Sequence, residues 1–213
     1  MVNICTDKIE QQLLRDGFNI IAGVDEVGRG ALAGPVLAAA VILDLNNIPK
    51  GLNDSKRLSQ KQREKLAIEI KQSALAISIA EVSAEEIDKI NIHQASLKAM
   101  IKAVTSLKLS PNYLLIDGFA LSNLRIKQQA IIKGDSLSVS IAAASIAAKV
   151  TRDKLMYDYA LRWPNYGFEK HVGYATRLHL DSLRKYGPCD IHRRSFQGVE
   201  TLDLQPTLPL ILD

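Results

Sequence analysis

The stretch IAGVDEVGRGALAGPV, residues 21–36, joins an apolar run to two acids, a turn with three glycines and the start of a second apolar run. The apolar residues predict a buried strand over residues 18–25 and another over residues 35–43. The turn between them carries no helical pattern, so we expect the two strands to form a hairpin. Asp25 and Glu26 then lie at the end of the first strand.

The rest of the chain alternates between helical and extended patterns. Capping signatures at Ser59 and Ser83, each followed three positions later by glutamine or glutamate, predict helices that run to about residue 73 and about residue 107. Further strands are predicted over residues 76–82, 113–116 and 127–133, and further helices over residues 137–161 and 175–185. A strand hairpin followed by this alternation predicts an α/β fold, a mixed sheet flanked by helices with a small helical C-terminal portion.

The composition is that of a globular protein, with 47% hydrophobic and 23% charged residues in 213. We expect one domain over residues 18–197, a lead-in over residues 1–17 and a tail over residues 198–213. No apolar run is long enough to span a bilayer, and the first residues lack the apolar core of a signal peptide. The two cysteines lie far apart and suit reduced thiols. We therefore expect a cytoplasmic, monomeric protein with no membrane partner.

The net charge of +4 is concentrated in the C-terminal third of the chain. Residues 149–194 contain ten lysines and arginines against five aspartates and glutamates, together with three histidines. Basic clustering of this kind is typical of a surface that binds a phosphate backbone. The charge pattern alone is equally consistent with a solvated basic surface that binds no ligand.

Four acids follow predicted strands or adjoin such an acid: Asp25, Glu26, Asp117 and Asp135. Ligands of open α/β sheets bind at the carboxyl ends of the strands. Converging acids without lysine or arginine partners resist ionising together, so the cluster needs a cation, and oxygen ligands select Mg²⁺ or Mn²⁺. Two such ions can hydrolyse a phosphodiester bond. Each acid taken singly is more often a turn or helix cap, so the pattern by itself leaves both interpretations open.

The glycine turn also fits a dinucleotide-binding pattern. Residues 28–33 match G-x-G-x-x-A, with Asp44 at a plausible distance for a ribose contact. That pattern requires a helix directly after the glycines, but Gly34-Pro35 and a strand follow here. We therefore exclude dinucleotide binding, and the glycines instead favour close approach of a ligand to exposed backbone.

Residues 21–36 resemble the corresponding segment of bacterial ribonuclease HII. The likeness continues in residues 53–59 (NDSKRLS), 116–118 (IDG), 133–135 (KGD), 141–153 (IAAASIAAKVTRD), 173–176 (GYAT) and 192–196 (HRRSF). It covers about residues 18–197, with every block in order. The resemblance implies an RNase H-like fold and an endonuclease that hydrolyses the RNA strand of RNA–DNA hybrids and cuts 5′ of a ribonucleotide embedded in duplex DNA. It also implies 3′-hydroxyl and 5′-phosphate products and a part in ribonucleotide excision repair and DNA replication.

The resemblance also implies roles for individual residues. The catalytic, metal-binding carboxylates of that family fall on Asp25, Glu26, Asp117 and Asp135. The backbone that reads the 2′-hydroxyl, the group that distinguishes RNA from DNA, falls on Gly28, Arg29 and Gly30. Tyr174 corresponds to the tyrosine that senses the RNA–DNA junction by packing on a sugar.

Further candidate contacts with the substrate backbone are Lys56, Lys149, Arg152, His192 and Arg193. Each carries or can carry a positive charge, which suits a phosphate. For Lys149 and Arg152 a solvated surface charge is an equally open interpretation. His192, next to two arginines, is the strongest candidate among the histidines, whereas His93 is expected to have no special role.

Two other functions compete with this interpretation. A DNA resolvase or integrase with an RNase H fold would cut all-DNA substrates, but it gives no reason for the glycine turn or Tyr174. A catalytically silent hybrid-binding protein would be favoured by the loss of an acid, and all four are present. In the tail, residues 205–210 (QPTLPL) resemble a peptide that binds a sliding clamp, although packing of the tail leucines onto the domain is the more common outcome.

Overall fold

A computed structural model describes residues 5–200, and within them five strands and seven helices form. Strands β1 to β5 span Ile21–Val27, Val36–Leu43, Ala74–Val82, Tyr113–Asp117 and Lys127–Ile131. Helices α1 to α7 span Lys8–Arg15, Gln60–Ser73, Ala84–Ile90, Ile92–Thr105, Val139–Arg162, Phe168–His171 and Arg177–Tyr186. Short 3-10 turns occupy Ser55–Arg57, Gly134–Ser136 and Pro164–Tyr166. The predicted α/β fold, with a mixed sheet flanked by helices, is confirmed.

The sheet has the strand order β3-β2-β1-β4-β5. The predicted hairpin is the antiparallel pair of β1 and β2. On its other side β1 pairs in parallel with β4, and β4 pairs in parallel with β5. The carboxyl ends of these three strands, at Val27, Asp117 and Ile131, therefore meet along one side of the sheet, which we call the carboxylate edge.

Strand β2 is buried along its whole length because helices cover both faces of the sheet. Its alternate residues face α4 on one side and α2 with α5 on the other. The alanine-rich face of α5 packs into the second of these layers, as expected. The close packing of α5 on β1 requires a glycine at position 23, since a Cβ on Gly23 would lie 2.0 Å from the carbonyl carbon of Ser140.

Several predicted boundaries differ from the structure. Strand β1 spans Ile21–Val27 instead of the predicted residues 18–25, and β5 ends at Ile131 instead of the predicted residue 133. The helix predicted from residue 84 to about residue 107 is divided into α3 and α4 at Asn91, which adopts a left-handed φ of 67° and accepts a hydrogen bond from Gln94 N. The lead-in forms α1, whose Glu10 is fully buried and accepts hydrogen bonds from Ser138 Oγ and Ser140 N. The packed domain therefore begins before residue 18.

The C-terminal end of the packed region also extends past the predicted boundary at residue 197. Val199 is fully buried in the cluster that contains Leu32, Met156 and Leu183. The possible clamp peptide, residues 205–210, lies outside the described residues. None of the helices between residues 5 and 200 combines the length and apolar character that a membrane span requires.

Candidate active site

Four acidic side chains come together at the carboxylate edge: Asp25, Glu26, Asp117 and Asp135. The first two occupy β1, and the parallel register that pairs Val24 with Ile116 sets Asp117 beside Asp25. Asp135 lies in the 3-10 turn that follows β5. The sheet topology thus joins acids from three separate segments of the chain.

Asp25 and Glu26 share a buried, acidic environment. Asp25 is 5% exposed, and its Oδ1 accepts a hydrogen bond of 2.7 Å from the backbone N–H of Glu26. Burial, followed by repulsion from Glu26 and Asp117, raises the pKa of Asp25 well above its ordinary value. Burial also raises the pKa of Glu26, and the guanidinium of Arg29 opposes that shift. The Oε2 atom of Glu26 is buried without a hydrogen-bond partner among the described residues.

Asp117 and Asp135 line a cleft of about 410 Å³ together with Asp54 and Lys56. Asp117 Oδ1 accepts a hydrogen bond of 2.7 Å from the backbone N–H of Gly134, which ties β4 to the turn that carries Asp135. Burial raises the pKa of Asp117. Burial and repulsion from Asp54 and Asp117 raise the pKa of Asp135 to about 6.

The acids have cationic partners, contrary to the sequence argument. Arg29 Nη1 lies 3.2 Å from Glu26 Oε1, and Lys56 Nζ lies 4.0 Å from Asp135 Oδ2. Both cations approach from the rim of the cluster, because their side chains are 33% and 83% exposed. The pKa of each of the four carboxyl groups nevertheless stays above its ordinary value. The cluster therefore still favours an additional cation.

The donor set fits hydrated divalent ions. Carboxylate oxygens are the donors that Mg²⁺ and Mn²⁺ prefer, and the unpartnered Oε2 of Glu26 is available as a ligand atom. Within residues 5–200 no three acidic, imidazole or thiol side chains converge closely enough to enclose an ion by themselves. Mg²⁺ commonly binds through one or two carboxylates and keeps several waters alongside substrate phosphates. The site is therefore an open carboxylate cluster, not a closed cage.

Two buried arginines bind the backbone of the glycine turn on its inner side. Together Arg152 and Arg193 donate hydrogen bonds to six carbonyl groups, those of Gly28, Arg29, Ala33, Gly34, Pro35 and Val172. Gly28 requires glycine, since its φ is +91° and a Cβ would lie 2.2 Å from Arg152 Nε. The amides of Arg29 and Gly30 donate no hydrogen bond to any of the described residues. The turn thus directs carbonyls inward and keeps two amides free for a ligand.

The prediction that Arg152 and Arg193 contact phosphate is wrong. Both side chains are 0% exposed and bind the backbone carbonyls of the turn and its neighbours. Burial, followed by repulsion from Arg152, lowers the pKa of Arg193 to about 9. Their positive charge supports the turn from inside the protein and does not reach a ligand.

Tyr174 lies beside the glycine turn. It forms an isolated antiparallel bridge with Ala31, and Leu32 N donates a hydrogen bond of 2.8 Å to Gly173 O. The Tyr174 ring is half-buried, with the guanidinium carbon of Arg152 5.6 Å from its centroid. The backbone pairing therefore sets the distance between Tyr174 and the turn.

His192 is 2% exposed, so the phosphate contact predicted for it is also wrong. Its Nδ1 accepts from Cys189 N–H, which leaves Nε2 as the protonated nitrogen that donates to His179 Nε2 at 3.0 Å. His179 Nδ1 then donates to the carbonyl of Tyr174 at 3.0 Å. Burial lowers the pKa of His179 to about 4 and that of His192 to about 3. This chain of neutral rings supports the backbone of Tyr174.

The two predicted lysine contacts differ in position. Lys56 lies at the carboxylate cluster. Lys149 Nζ lies 2.7 Å from Asp153 Oδ1, one turn along α5, and is 18% exposed. Among residues 5–200 it forms no ion pair with the four carboxylates, so a phosphate contact of Lys149 stays a prediction.

Sequence reasoning assigned no influence on the carboxylates to two residues that adjust them, Asp54 and Ser145. Asp54 raises the pKa of Asp135 by repulsion. Ser145, on the buried face of α5, forms a hydrogen bond with Asp25 that lowers the pKa of that carboxyl, and its Oγ lies 3.0 Å from Ser55 Oγ. The block of residues 53–59 carries a signal for Asp54, but nothing distinguishes Ser145 from other small residues of a packed helix.

Known proteins resemble the chain over most of its length. A family model described as Ribonuclease HII matches residues 22–199. A protein named Ribonuclease HII from Caldicellulosiruptor bescii is 51% identical over 189 residues, which cover 89% of this chain and 92% of that protein. Another, from Syntrophobacter fumaroxidans, is 53% identical over 190 residues, which cover 89% of this chain and 82% of that protein.

Solved structures share the fold. The ribonuclease H2 of Pyrococcus horikoshii OT3 superposes with a TM-score of 0.75 at 25% identity, covering 87% of this chain and 97% of that one. The RNase HII of Archaeoglobus fulgidus, solved as a complex with PCNA, gives a TM-score of 0.74 at 26% identity, and the match covers 84% of this chain and 96% of that one. The likeness therefore extends over more than four fifths of the chain.

Proposed function

The chain belongs to the ribonuclease HII family and is a metal-dependent ribonuclease H, and we propose that it cuts both the RNA strand of RNA–DNA hybrids and the 5′ side of single ribonucleotides in duplex DNA. One observation carries the proposal: the carboxylate cluster lies next to a turn whose two free amides can meet a 2′-hydroxyl. A site for a phosphodiester and a site for the group that defines RNA are thus adjacent.

Each residue of the site has a distinct part in this proposal. Two Mg²⁺ or Mn²⁺ ions held by Asp25, Glu26, Asp117 and Asp135 would supply an activated water and stabilise the leaving oxygen. Attack on phosphorus breaks the bond to the 3′ oxygen and leaves a 3′-hydroxyl and a 5′-phosphate. The Gly28-Arg29-Gly30 turn donates its free N–H groups to the 2′-hydroxyl. Lys56, exposed at the rim, contacts a backbone phosphate.

Cleavage mapping tests the proposal directly. Duplex DNA with one embedded ribonucleotide is incubated with the protein and Mg²⁺ or Mn²⁺, and the cut is mapped on labelled strands. We expect one cut on the 5′ side of the ribonucleotide, with the same duplex lacking the ribonucleotide left intact. Cleavage of the all-DNA duplex would instead indicate a resolvase-like nuclease, and tight binding without any cut would indicate a silent hybrid-binding protein.

A contact with a sliding clamp is a separate part of the proposal. The solved complex of the Archaeoglobus fulgidus enzyme with PCNA supports it, as does the sequence QPTLPL at residues 205–210. An extended segment with two prolines loses less entropy on binding, and its leucines suit an apolar pocket. Such a contact would direct the enzyme to newly made DNA.

A further inference from the structure

An exposed aromatic ring adjoins the carboxylate cluster. Phe119 follows Asp117 by two positions at the end of β4, and it is 48% exposed. Ile132, which is 80% exposed, also lines the cleft at the carboxylate cluster, whereas Leu75 is exposed at the start of β3. Phe119 therefore presents an apolar surface directly beside acids that we expect to meet a nucleic acid.

Polar groups of the site hold the Phe119 ring in place. The guanidinium carbon of Arg29 lies 5.4 Å from the ring centroid, within the range of a cation–π contact. The ring of His93 meets Phe119 edge-on, with centroids 5.2 Å apart and an interplanar angle of 83°. Arg29 also pairs with Glu26, so the ring is linked through one side chain to the carboxylate cluster.

The loop that carries Phe119 is fixed to the domain. Leu121 is 1% exposed and packs in the core on the α4 side of the sheet. The Gln128 side chain donates to Leu121 O at 3.0 Å and accepts from Leu121 N at 2.7 Å. Phe119 N also donates to Asp117 O at 3.0 Å. The exposure of the ring is thus a feature of an anchored loop.

The chemistry of a nucleic acid duplex suits this ring. Sugars have apolar C–H faces between the charged phosphates, and the minor groove of an A-form helix is wide and shallow enough for side chains to reach the sugars that border it. Aromatic rings in nucleic-acid sites contribute binding without base specificity. The side chain of Arg29 leads from the turn toward Phe119, whereas the backbone at Ala31 pairs with Tyr174. Phe119 and Tyr174 therefore contact the turn through different residues, Arg29 and Ala31.

We propose that Phe119 is a further substrate-contacting residue, whose exposed ring face packs on a sugar of the bound duplex beside the glycine turn. The inference rests on the proposed function. Because the contact is with a sugar and not with the RNA–DNA junction, it serves single ribonucleotides and long hybrids equally.

Steady-state cleavage of both substrates by Phe119→Ala and Phe119→Tyr tests the role. We expect Phe119→Ala to raise KM about tenfold on each substrate, because the half-exposed ring no longer buries apolar surface against the duplex, while kcat changes less than about twofold. Phe119→Tyr keeps the ring and is expected to keep the wild-type KM. Leu75→Ala is the matched control, since it also removes an exposed apolar side chain, 57% exposed, at the start of β3.

Melting temperatures of all variants exclude unfolding as the cause of a change. An unchanged KM for Phe119→Ala, a loss confined to kcat, or equal losses in the alanine and tyrosine variants would overturn the inference and leave the proposed function intact. Failure of the wild-type protein to cut either substrate would overturn the proposed function, and the inference with it.

Discussion

Arg29 contacts three different groups of the site. Its guanidinium lies 3.2 Å from Glu26 Oε1 and 5.4 Å from the centroid of Phe119, while its carbonyl accepts a hydrogen bond of 2.8 Å from Arg193. Its amide remains free among the described residues. Arg29 and Arg193 have the same side-chain chemistry, yet only the partly exposed one can meet a ligand. Burial decides the role of each cation.

Asp25→Asn is expected to abolish cleavage while hybrid binding remains detectable. The change removes one of the four proposed metal ligands but leaves the surface cations, which favour binding of phosphate. Because burial and repulsion raise the pKa of Asp25, removing its charge should keep or increase the melting temperature. Cleavage assays, fluorescence anisotropy with a labelled hybrid and thermal unfolding measure the three effects. Near-normal turnover of the folded variant would contradict the metal assignment.

Alanine at Gly28 and at Gly30 is expected to have different effects. A Cβ on Gly28 would lie 2.2 Å from Arg152 Nε at a φ of +91°, so Gly28→Ala should reduce the free energy of unfolding by about 1–3 kcal/mol. No atom lies within 4 Å of a Cβ on Gly30, so Gly30→Ala should leave stability within about 0.5 kcal/mol.

Gly30→Ala should nevertheless reduce cleavage, because its methyl group occupies the space through which the substrate approaches the free amides. Urea unfolding and cleavage rates of both variants provide the comparison. Full activity of Gly30→Ala would remove the turn from recognition of the 2′-hydroxyl.

Tyr174→Ala is expected to lower activity on a single embedded ribonucleotide more than on a long hybrid. Only the former depends on sensing an RNA–DNA junction. Tyr174→Phe keeps the ring beside Arg152 and serves as the control for packing. The ratio of the two activities is the measurement, and equal losses on both substrates would make Tyr174 a packing residue.

At the scale of elements, α1 and the short C-terminal helices support the site from outside the sheet. Glu10 of α1 accepts hydrogen bonds from Ser138 Oγ and Ser140 N at the start of α5, where a carboxylate also stabilises the helix dipole. Asp135 lies three positions before Ser138, so α1 helps to fix that carboxylate. Helix α7 contributes His179, which holds the carbonyl of Tyr174.

The buried histidines are expected to reduce stability in acid. His179 and His192 have pKa values of about 4 and about 3 in the folded protein, below about 6.5 in the unfolded chain. As pH falls below about 6.5, only the unfolded chain takes up these protons, so each histidine lowers stability by about 1.4 kcal/mol per pH unit down to its folded pKa. Above about pH 6.5 the stability contributed by the two neutral histidines is fully present.

The test compares free energies of unfolding in urea between about pH 7 and about pH 5. The raised carboxyl pKa values act in the opposite direction, so the informative quantity is the difference in slope between wild type and His179→Gln. We expect the variant to lose less stability per pH unit than wild type, while Leu75→Ala, which changes no titratable group, keeps the wild-type slope. Identical slopes for wild type and His179→Gln would contradict a neutral buried His179.

At the scale of the whole molecule, the basic C-terminal third is less basic at its surface than its composition indicates. Two of the ten cations in residues 149–194, Arg152 and Arg193, are fully buried. A third, Lys149, is paired with Asp153. The positive charge at the surface is therefore shared with cations near the cluster, Lys56 and Arg29, which come from the first third of the chain.

Deletion of residues 204–213 separates a clamp contact from packing of the tail. If the tail binds a clamp, the shortened protein should lose clamp association while its melting temperature and its cleavage of short duplexes stay unchanged. A pull-down or surface-binding assay with purified clamp measures clamp association, and thermal unfolding measures the melting temperature. A clear fall in melting temperature, or no clamp binding by the full chain, would discard the clamp contact.

The sequence alone determined the hairpin, the fold class and the positions of the acids and the glycine turn. These features depend on local rules: apolar periodicity specifies strands, and a tight turn requires residues such as Gly28 whose φ is positive. The tertiary structure alone decided which charged side chains are buried. The bond from Arg193 Nη2 to Gly28 O spans 165 positions, and the partners of Asp135 and Glu10 also come from other segments. The surroundings of a side chain depend on how distant segments pack together, and a local sequence pattern contains no information about that packing.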